Sequence, residues 1–170
     1  MANRRNLGVE EEQDMTLETK TKLNPETLAS VQELFKINVD SRDTFQELAD
    51  ATANASVAIM FRELASERNR NVAELESLMN FNREKPDDTV SVVGTYHRFV
   101  IGLRSALGAG TATMLSEAES AEENIQQKYE EVLKREPGSA VSDILHRQYS
   151  GVRAAHERVR AIRDAHRRAS

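Results

Sequence analysis

The 170-residue chain contains no cysteine, only three prolines and seven glycines, and no long apolar run. The absence of cysteine excludes a disulfide scaffold, a thiolate metal site and a thiol nucleophile. So few turn-forming residues argue against an all-β sandwich, which needs a turn every ~8–12 residues. A transmembrane helix is also excluded, because no stretch approaches the roughly 20 apolar residues that a span needs.

The remaining composition is 39% hydrophobic and 30% charged, with a net charge of -5. This balance is typical of a soluble helical bundle, and the acidic excess argues against a dedicated nucleic-acid binder. Residues 1–22 carry the acidic cluster Glu10–Glu12 and no apolar period, which predicts a disordered acidic tail rather than a secretory signal. We therefore expect a cytoplasmic protein in which residues 23–170 form a single helical-bundle domain.

Apolar residues recur every three or four positions between the prolines and never alternate over a sustained stretch. This pattern predicts an all-α fold without strands. Asn24 and Pro25 provide an N-cap and a first helical residue, and Pro137 followed by Gly138 provides a stop signal. The predicted helices span about 25–52, 54–80, 89–107, 111–135 and 139–170. Short loops between long helices favour an up-and-down bundle of four to five helices, with sequential neighbours antiparallel.

The last two predicted helices carry opposite charge. The fourth is rich in glutamate and the fifth is rich in arginine, so we expect them to pack side by side. The alternative interpretation is that the basic end of the fifth helix grips a phosphate or a nucleic acid. The acidic balance of the whole chain makes that alternative the weaker one.

Polar residues interrupt the apolar stripe near the middle of each predicted helix. If the helices are antiparallel, the interruptions lie at one level and form a polar layer across the bundle. One explanation is a buried hydrogen-bonded network, in which Arg68 pairs with Glu122 or Asp40 and fixes the register of the helices. The candidate layer residues are Asn38, Asp40, Arg42, Arg68, Asn71, His97, Glu122, Gln148 and His156.

The competing explanation is a carboxylate–histidine metal site of the kind that four-helix bundles hold at mid-height. The chain lacks the Glu-x-x-His motif of such sites. Glu119, Glu122 and His97 are the residues we would expect to bind iron or manganese. Arg68 and Arg42 share stripes with the candidate acids, however, and a guanidinium neutralises the charge that a metal ion needs. The sequence therefore favours the buried network, with no cofactor.

Several segments resemble a bacterial ferritin-like family of unknown function. Ser91 to Arg98 reads Ser-Val-Val-Gly-Thr-Tyr-His-Arg and is similar to that family's Ser-x-x-Gly-x-x-His-Arg motif. Glu119 to Glu122, followed by Tyr129, resembles its Glu-x-Gly-Glu segment and later tyrosine, although Ala121 replaces the glycine. Phe61 to Arg68, the pair Gln148-Tyr149, and the pair Ala155-His156 also fit. The family's usual tryptophan is replaced by Val100. The resemblance covers about residues 28–162 and implies a ferritin-like bundle in a cytoplasmic bacterial protein, without implying a reaction.

Three functions remain open at the level of sequence. The first is a non-catalytic bundle that acts through self-assembly or a protein partner, in a stress-related role. The second is a ferritin-type metal protein that binds or oxidises iron. The third is a phosphate or nucleic-acid binder using the basic last helix. The lack of a nucleophile–base pair, a phosphate loop or a complete metal motif favours the first, with neither nucleic acid nor membrane as partner.

Overall fold

A computed structural model describes residues 17–85, 105–135 and 139–169. Four long helices make up most of this part of the chain: α1 (Pro25–Ala51), α2 (Ala55–Phe81), α3 (Thr111–Arg135) and α4 (Ser142–Ala169). The all-helical prediction is confirmed, since the described ranges contain no strand and only an isolated bridge between Thr19 and Lys22. The third predicted helix, at 89–107, lies almost wholly outside the described residues.

The helix boundaries follow local capping chemistry. The side chain of Asn24 accepts a hydrogen bond from the Thr27 amide at 2.8 Å, and Pro25 occupies the first turn of α1. Asn54 caps α2 in the same way through the Val57 amide at 3.1 Å. These side chains satisfy amides that have no partner inside their own helix. The last helix begins at Ser142 rather than at the predicted residue 139.

The helices form two antiparallel hairpins, α1 with α2 and α3 with α4. The hairpins face each other through α1 against α3 and α2 against α4. Inter-helix contacts show that α2 and α3 run in the same direction, because Arg68 is level with Glu122 and Glu74 is level with Gln148, which contacts Tyr129. The chain therefore enters α3 at the end of the bundle opposite to the one where it leaves α2. The order is up, down, down, up among these four helices.

The core is continuous along the bundle axis and is built from aliphatic side chains of all four helices. Phe45 and Phe61 stack near the α1–α2 turn with ring centroids 6.1 Å apart. Small residues let α3 approach its neighbours, since Ala118 and Ala121 are both fully buried. Among the residues described, no helix combines the length and the apolar character that a membrane span needs.

Residues 17–22, which the sequence analysis assigned to the tail, form a turn against the ends of three helices. The Glu18 carboxylate accepts hydrogen bonds from the Asn24 amide at 2.9 Å and from the Ala140 amide at 3.1 Å. The Asn82 side chain accepts from the Leu23 amide at 2.7 Å and donates to the Lys20 carbonyl at 2.9 Å. Residues 17–22 thus fasten the start of α1 to the end of α2 and the start of α4.

Candidate functional site

A buried ion pair lies at the centre of the bundle. Arg68 on α2 is 1% exposed and Glu122 on α3 is fully buried, and Nη2 of the arginine donates to Oε2 of the carboxylate. Arg68 is the largest fully buried side chain in the described part of the chain. The sequence predicts this pairing from the polar breaks in the apolar stripes of both helices.

Desolvation acts against the charged form of both partners. Burial lowers the pKa of Arg68, but the Glu122 carboxylate outweighs it, so that the pKa of Arg68 stands above its ordinary value and the side chain remains a cation. Burial likewise raises the pKa of the Glu122 carboxyl, and the contact with Arg68 opposes that rise. Arg68 Nε and Glu122 Oε1 have no hydrogen-bond partner among the described residues. The pair is therefore incompletely satisfied, which is costly for buried charged groups.

A second set of polar side chains lies beside the ion pair and is centred on Tyr129 of α3. The amide nitrogen of Asn38 donates to the Tyr129 hydroxyl at 2.9 Å, and that hydroxyl donates to Gln148 Oε1 at 2.9 Å. Asn71 donates to Asn38 at 3.2 Å, and Gln148 donates to Glu74 Oε2 at 2.8 Å. Burial raises the pKa of Tyr129, so its hydroxyl stays protonated. This chain of bonds connects α1, α2, α3 and α4 at one level.

Two of its members, Tyr129 and Glu74, were missed as polar groups by the sequence analysis. An aromatic residue at helical spacing usually packs in the core, and Tyr129 is not among the predicted layer residues. The available signal was its hydroxyl, which needs a partner when buried. Glu74 lies three residues after Asn71 and so shares its helix face, and that spacing was the signal that could have included it.

The structure places Asp40, Arg42 and His156 outside these two groups. Arg42 is half-buried and pairs with Asp43 at 2.7 Å. The buried residues on this part of α1 are Asn38, Ser41 and Phe45, which follow helical spacing. The predicted inward position of Arg42 is therefore wrong, and Ser41, one residue earlier, takes that place. Asp40 is half-buried, and its carbonyl oxygen accepts from Thr44 at 2.7 Å.

His156 is half-buried on α4. Its Nδ1 lies 4.0 Å from Glu157 Oε1. His97 lies outside the described residues.

The two predicted metal ligands among the described residues, Glu119 and Glu122, each form an ion pair with an arginine. Glu119 forms an ion pair with Arg163 of α4, and Glu122 forms one with Arg68. No group of three histidine, aspartate or glutamate side chains suited to a metal ion occurs within residues 17–85, 105–135 and 139–169. The carboxylates available at mid-bundle are thus neutralised by guanidinium groups from α2 and α4.

An open cleft of about 820 Å³ separates α2 from α4 beside the ion pair. Two inter-helix ion pairs bridge the helices here, one between Glu74 and Arg147 and one between Glu67 and Arg158 at 3.0 Å. Arg68 forms part of the cleft wall. The described residues that line it are Glu67, Arg68, Arg70, Asn71, Ala73, Glu74, Ser77, Arg147, Gln148, Gly151 and Ala154.

A family model described as a domain of unknown function (DUF2383) matches residues 26–135. The chain belongs to this family. The match extends from the first turn of α1 to the last residue of α3, and it includes both partners of the buried ion pair. It leaves out α4, so the resemblance noted for Gln148-Tyr149 and Ala155-His156 lies beyond the matched residues. No curated protein and no solved structure matches the chain.

Proposed function

We propose that this DUF2383 chain is a cytoplasmic bacterial ferritin-like bundle that has no catalytic activity and acts through self-assembly or a protein partner, in stress protection. The topology supports the ferritin-like part, since one long connection between two antiparallel hairpins is the arrangement of ferritin-like folds. The observation that carries the non-catalytic part is the buried pair of Arg68 and Glu122.

The charges at mid-bundle favour a site without a metal ion. A ferritin-type site at mid-height needs several carboxylates that share a cation between them. Here Glu122 is paired with Arg68, which stays protonated at any relevant pH. Glu119 is paired with Arg163. A metal ion would have to displace both guanidinium groups and leave Arg68 buried without its partner, which is strongly unfavourable.

Elemental analysis of protein purified without chelator tests this proposal. We expect well under one iron or manganese ion per chain and no iron oxidation above buffer. The alternative is a ferritin-type protein that binds iron or manganese through Glu119, Glu122 and His97, and it is favoured by the position of the two glutamates on one face of α3. Stoichiometric metal that is lost in Glu122→Ala would establish the alternative and refute the proposal.

The assembly part is tested separately by sedimentation equilibrium at micromolar concentrations. We expect a mass that is a multiple of the 19.1 kDa chain, or a stable complex with a partner isolated by affinity purification and reconstituted from the pure components. A chain that remains monomeric and reconstitutes no such complex would contradict the proposed mode of action.

A further inference from the structure

The outer face of α4 carries a row of exposed arginines. Between residues 153 and 169 this helix holds six arginines and two acidic residues. Arg158 pairs with Glu67 of α2, and Arg163 pairs with Glu119 of α3. The other four arginines are exposed, and none of them forms an ion pair with a carboxylate among the residues described. These four form the basic α4 face: Arg153, Arg160, Arg167 and Arg168.

The spacing places these arginines on one side of the helix. Arg153, Arg160 and Arg167 are seven residues apart, and a heptad returns to nearly the same helix face, with a drift of about 20°. Arg153 Cζ lies 5.9 Å from the centroid of the Tyr149 ring, and Arg167 Nη2 donates to Ser116 Oγ at 3.3 Å. The helix dipole favours arginine in the last turn, but Arg153 and Arg160 lie before that turn. Their positive charge is therefore available to a partner.

The outer face of α1 carries the opposite charge. Residues 40–51, which end this helix, hold four acidic residues and one arginine. The side chains of Asp43 and Asp50 are 50% and 65% exposed, although each has an arginine of α1 or α2 nearby. The last turn of α1 contains no basic residue, and a helix C-terminus disfavours anions, so Asp50 does not stabilise α1 through its dipole. The acidic residues form the acidic α1 face: Asp40, Asp43, Glu47 and Asp50.

The two faces lie on opposite sides of the bundle and at the same end. Both α1 and α4 pack against α2 and α3, which places α1 and α4 at opposite corners. They also run in the same direction, so their C-terminal halves are level. A two-fold dimer brings the same face of both chains together, and here it would place like charges against each other. A head-to-tail contact instead brings opposite charges together.

We propose that the basic α4 face binds the acidic α1 face of a second copy of this chain. The contact depends on the self-assembly in the proposed function, and it assigns that assembly to two surfaces. Because the surfaces are different and lie on opposite sides, the contact is heterologous. Such contacts continue into a ring or an open filament rather than stopping at two chains. The facing charges are exposed, so the assembly depends on salt.

Sedimentation velocity of the full chain at two salt concentrations tests the nature of the contact. Exposed charges interact over about 30 Å at about 10 mM salt and over about 3 Å at about 1 M salt. We expect species larger than a dimer at low salt and the 19.1 kDa monomer at high salt. Assembly that is unchanged at about 1 M salt, or that stops at two chains, would overturn the proposal.

Two double variants each neutralise one face. Arg160→Gln/Arg168→Gln weakens the basic α4 face, and Asp43→Asn/Asp50→Asn weakens the acidic α1 face; all four side chains are exposed. We expect each variant alone to require about fivefold or more higher concentration to assemble, the size of two exposed charge interactions. Assembly of either variant at the concentration of the unmodified chain would refute the part assigned to that face.

Matched controls remove the same charge from exposed positions outside both faces. Arg70→Gln/Lys134→Gln is the control for the arginine variant, and Glu63→Gln/Glu76→Gln is the control for the aspartate variant. Both controls should assemble as the unmodified chain does. A control that weakens assembly as much as its face variant would show that net charge, rather than the two faces, governs association, and would refute the proposal.

An equimolar mixture of the two face variants tests the head-to-tail geometry. One variant keeps the acidic α1 face and the other keeps the basic α4 face, so one intact contact can form between them. At a concentration where neither variant assembles alone, we expect a complex of two chains that does not grow further. Absence of this complex, or growth equal to that of the unmodified chain, would contradict the geometry.

The outcomes separate this contact from the proposed function. If the unmodified chain assembles and the face variants assemble equally well, the contact is refuted while self-assembly stands. If the unmodified chain stays monomeric at low salt, the contact and self-assembly are refuted together, and only the protein partner of the proposed function is left to test.

Discussion

Truncation of one partner of the buried ion pair should strongly destabilise the bundle. Arg68→Ala removes the one ion-pair partner that the fully buried Glu122 carboxylate has among the described residues. It also leaves a cavity where one of the largest buried side chains was. The uncompensated charge alone is expected to cost about 3–5 kcal/mol of unfolding free energy. For a chain of this length that corresponds to a fall in melting temperature of about 6–20 °C.

The cost should depend on pH in one variant and not in its counterpart. In Arg68→Ala, burial raises the pKa of the isolated Glu122 carboxyl above its value in the unfolded chain. A raised folded-state pKa gives stability that is present at low pH and lost as pH rises through it, by at most about 1.4 kcal/mol per pH unit. The penalty of Arg68→Ala should therefore shrink in acid. Glu122→Leu leaves a guanidinium that cannot deprotonate, so its penalty should not respond in this way.

Urea unfolding and thermal unfolding, both followed by circular dichroism at neutral pH and at about pH 5, measure the free energy and the melting temperature. The double variant Arg68→Met/Glu122→Leu replaces the pair with apolar side chains and should cost much less than either single change. Arg70→Ala, two residues along the same helix at an exposed position, is the matched control and should stay within about 0.5 kcal/mol. A shift of less than about 2 °C in Arg68→Ala would show that the buried-pair argument is wrong.

Three further substitutions test other features. Gly151→Ala should raise the unfolding free energy by about 0.5–1 kcal/mol, because the Cβ meets nothing and alanine favours the helix; a destabilised variant would show that the site is crowded. Tyr129→Phe removes the hydroxyl that two buried amides share and should cost about 1–3 kcal/mol in urea unfolding, and no loss would mean that water replaces it. Burial raises the pKa of Glu33, but Lys128 and Arg135 outweigh it and hold that pKa below the ordinary 4.5, so its stabilising effect is complete above 4.5 and lost as pH falls through the lower value. Glu33→Gln should therefore cost about 0.2–1 kcal/mol at neutral pH, with the difference disappearing in acid, and a penalty that persists there would contradict the assignment.

The helices could be predicted because their ends and faces are encoded locally. Asn24 with Pro25, and Asn54, are capping signals within a few residues of the helix that they begin. The parallel course of α2 and α3 is what the predicted five-helix order implies. If sequential neighbours are antiparallel, the second and fourth predicted helices run in the same direction, as the contacts of Arg68 with Glu122 and of Glu74 with Gln148 show for α2 and α3.

The site residues could be predicted where a charged residue interrupts an apolar stripe. They could not be predicted where the rotation of the helix about its axis decides which of two neighbouring residues faces the core. Arg68 and Glu122 occupy positions where the apolar stripe of each helix faces the core. Two opposite charges at such positions are expected to pair with each other, because a buried charge without a partner is costly. Arg42 stands one residue away from the inward line of α1, and a difference of one residue corresponds to about 100° of rotation. The cleft was not predicted at all, because it depends on the distance between α2 and α4, which no residue of either helix specifies alone.

The two-hairpin arrangement has a consequence for the order of folding. Asn38 and Asn71 within α1–α2 are 33 residues apart, and Tyr129 and Gln148 within α3–α4 are 19 residues apart, whereas Arg68 and Glu122 are 54 residues apart. Local contacts form first because they close short loops, so each hairpin can collapse before the two dock. The ion pair forms only when the hairpins dock and water leaves the interface. A misaligned docking would bury a charge without its partner and is therefore unfavourable. Substitutions at Arg68 should consequently act mainly on the rate of unfolding rather than on the rate of folding.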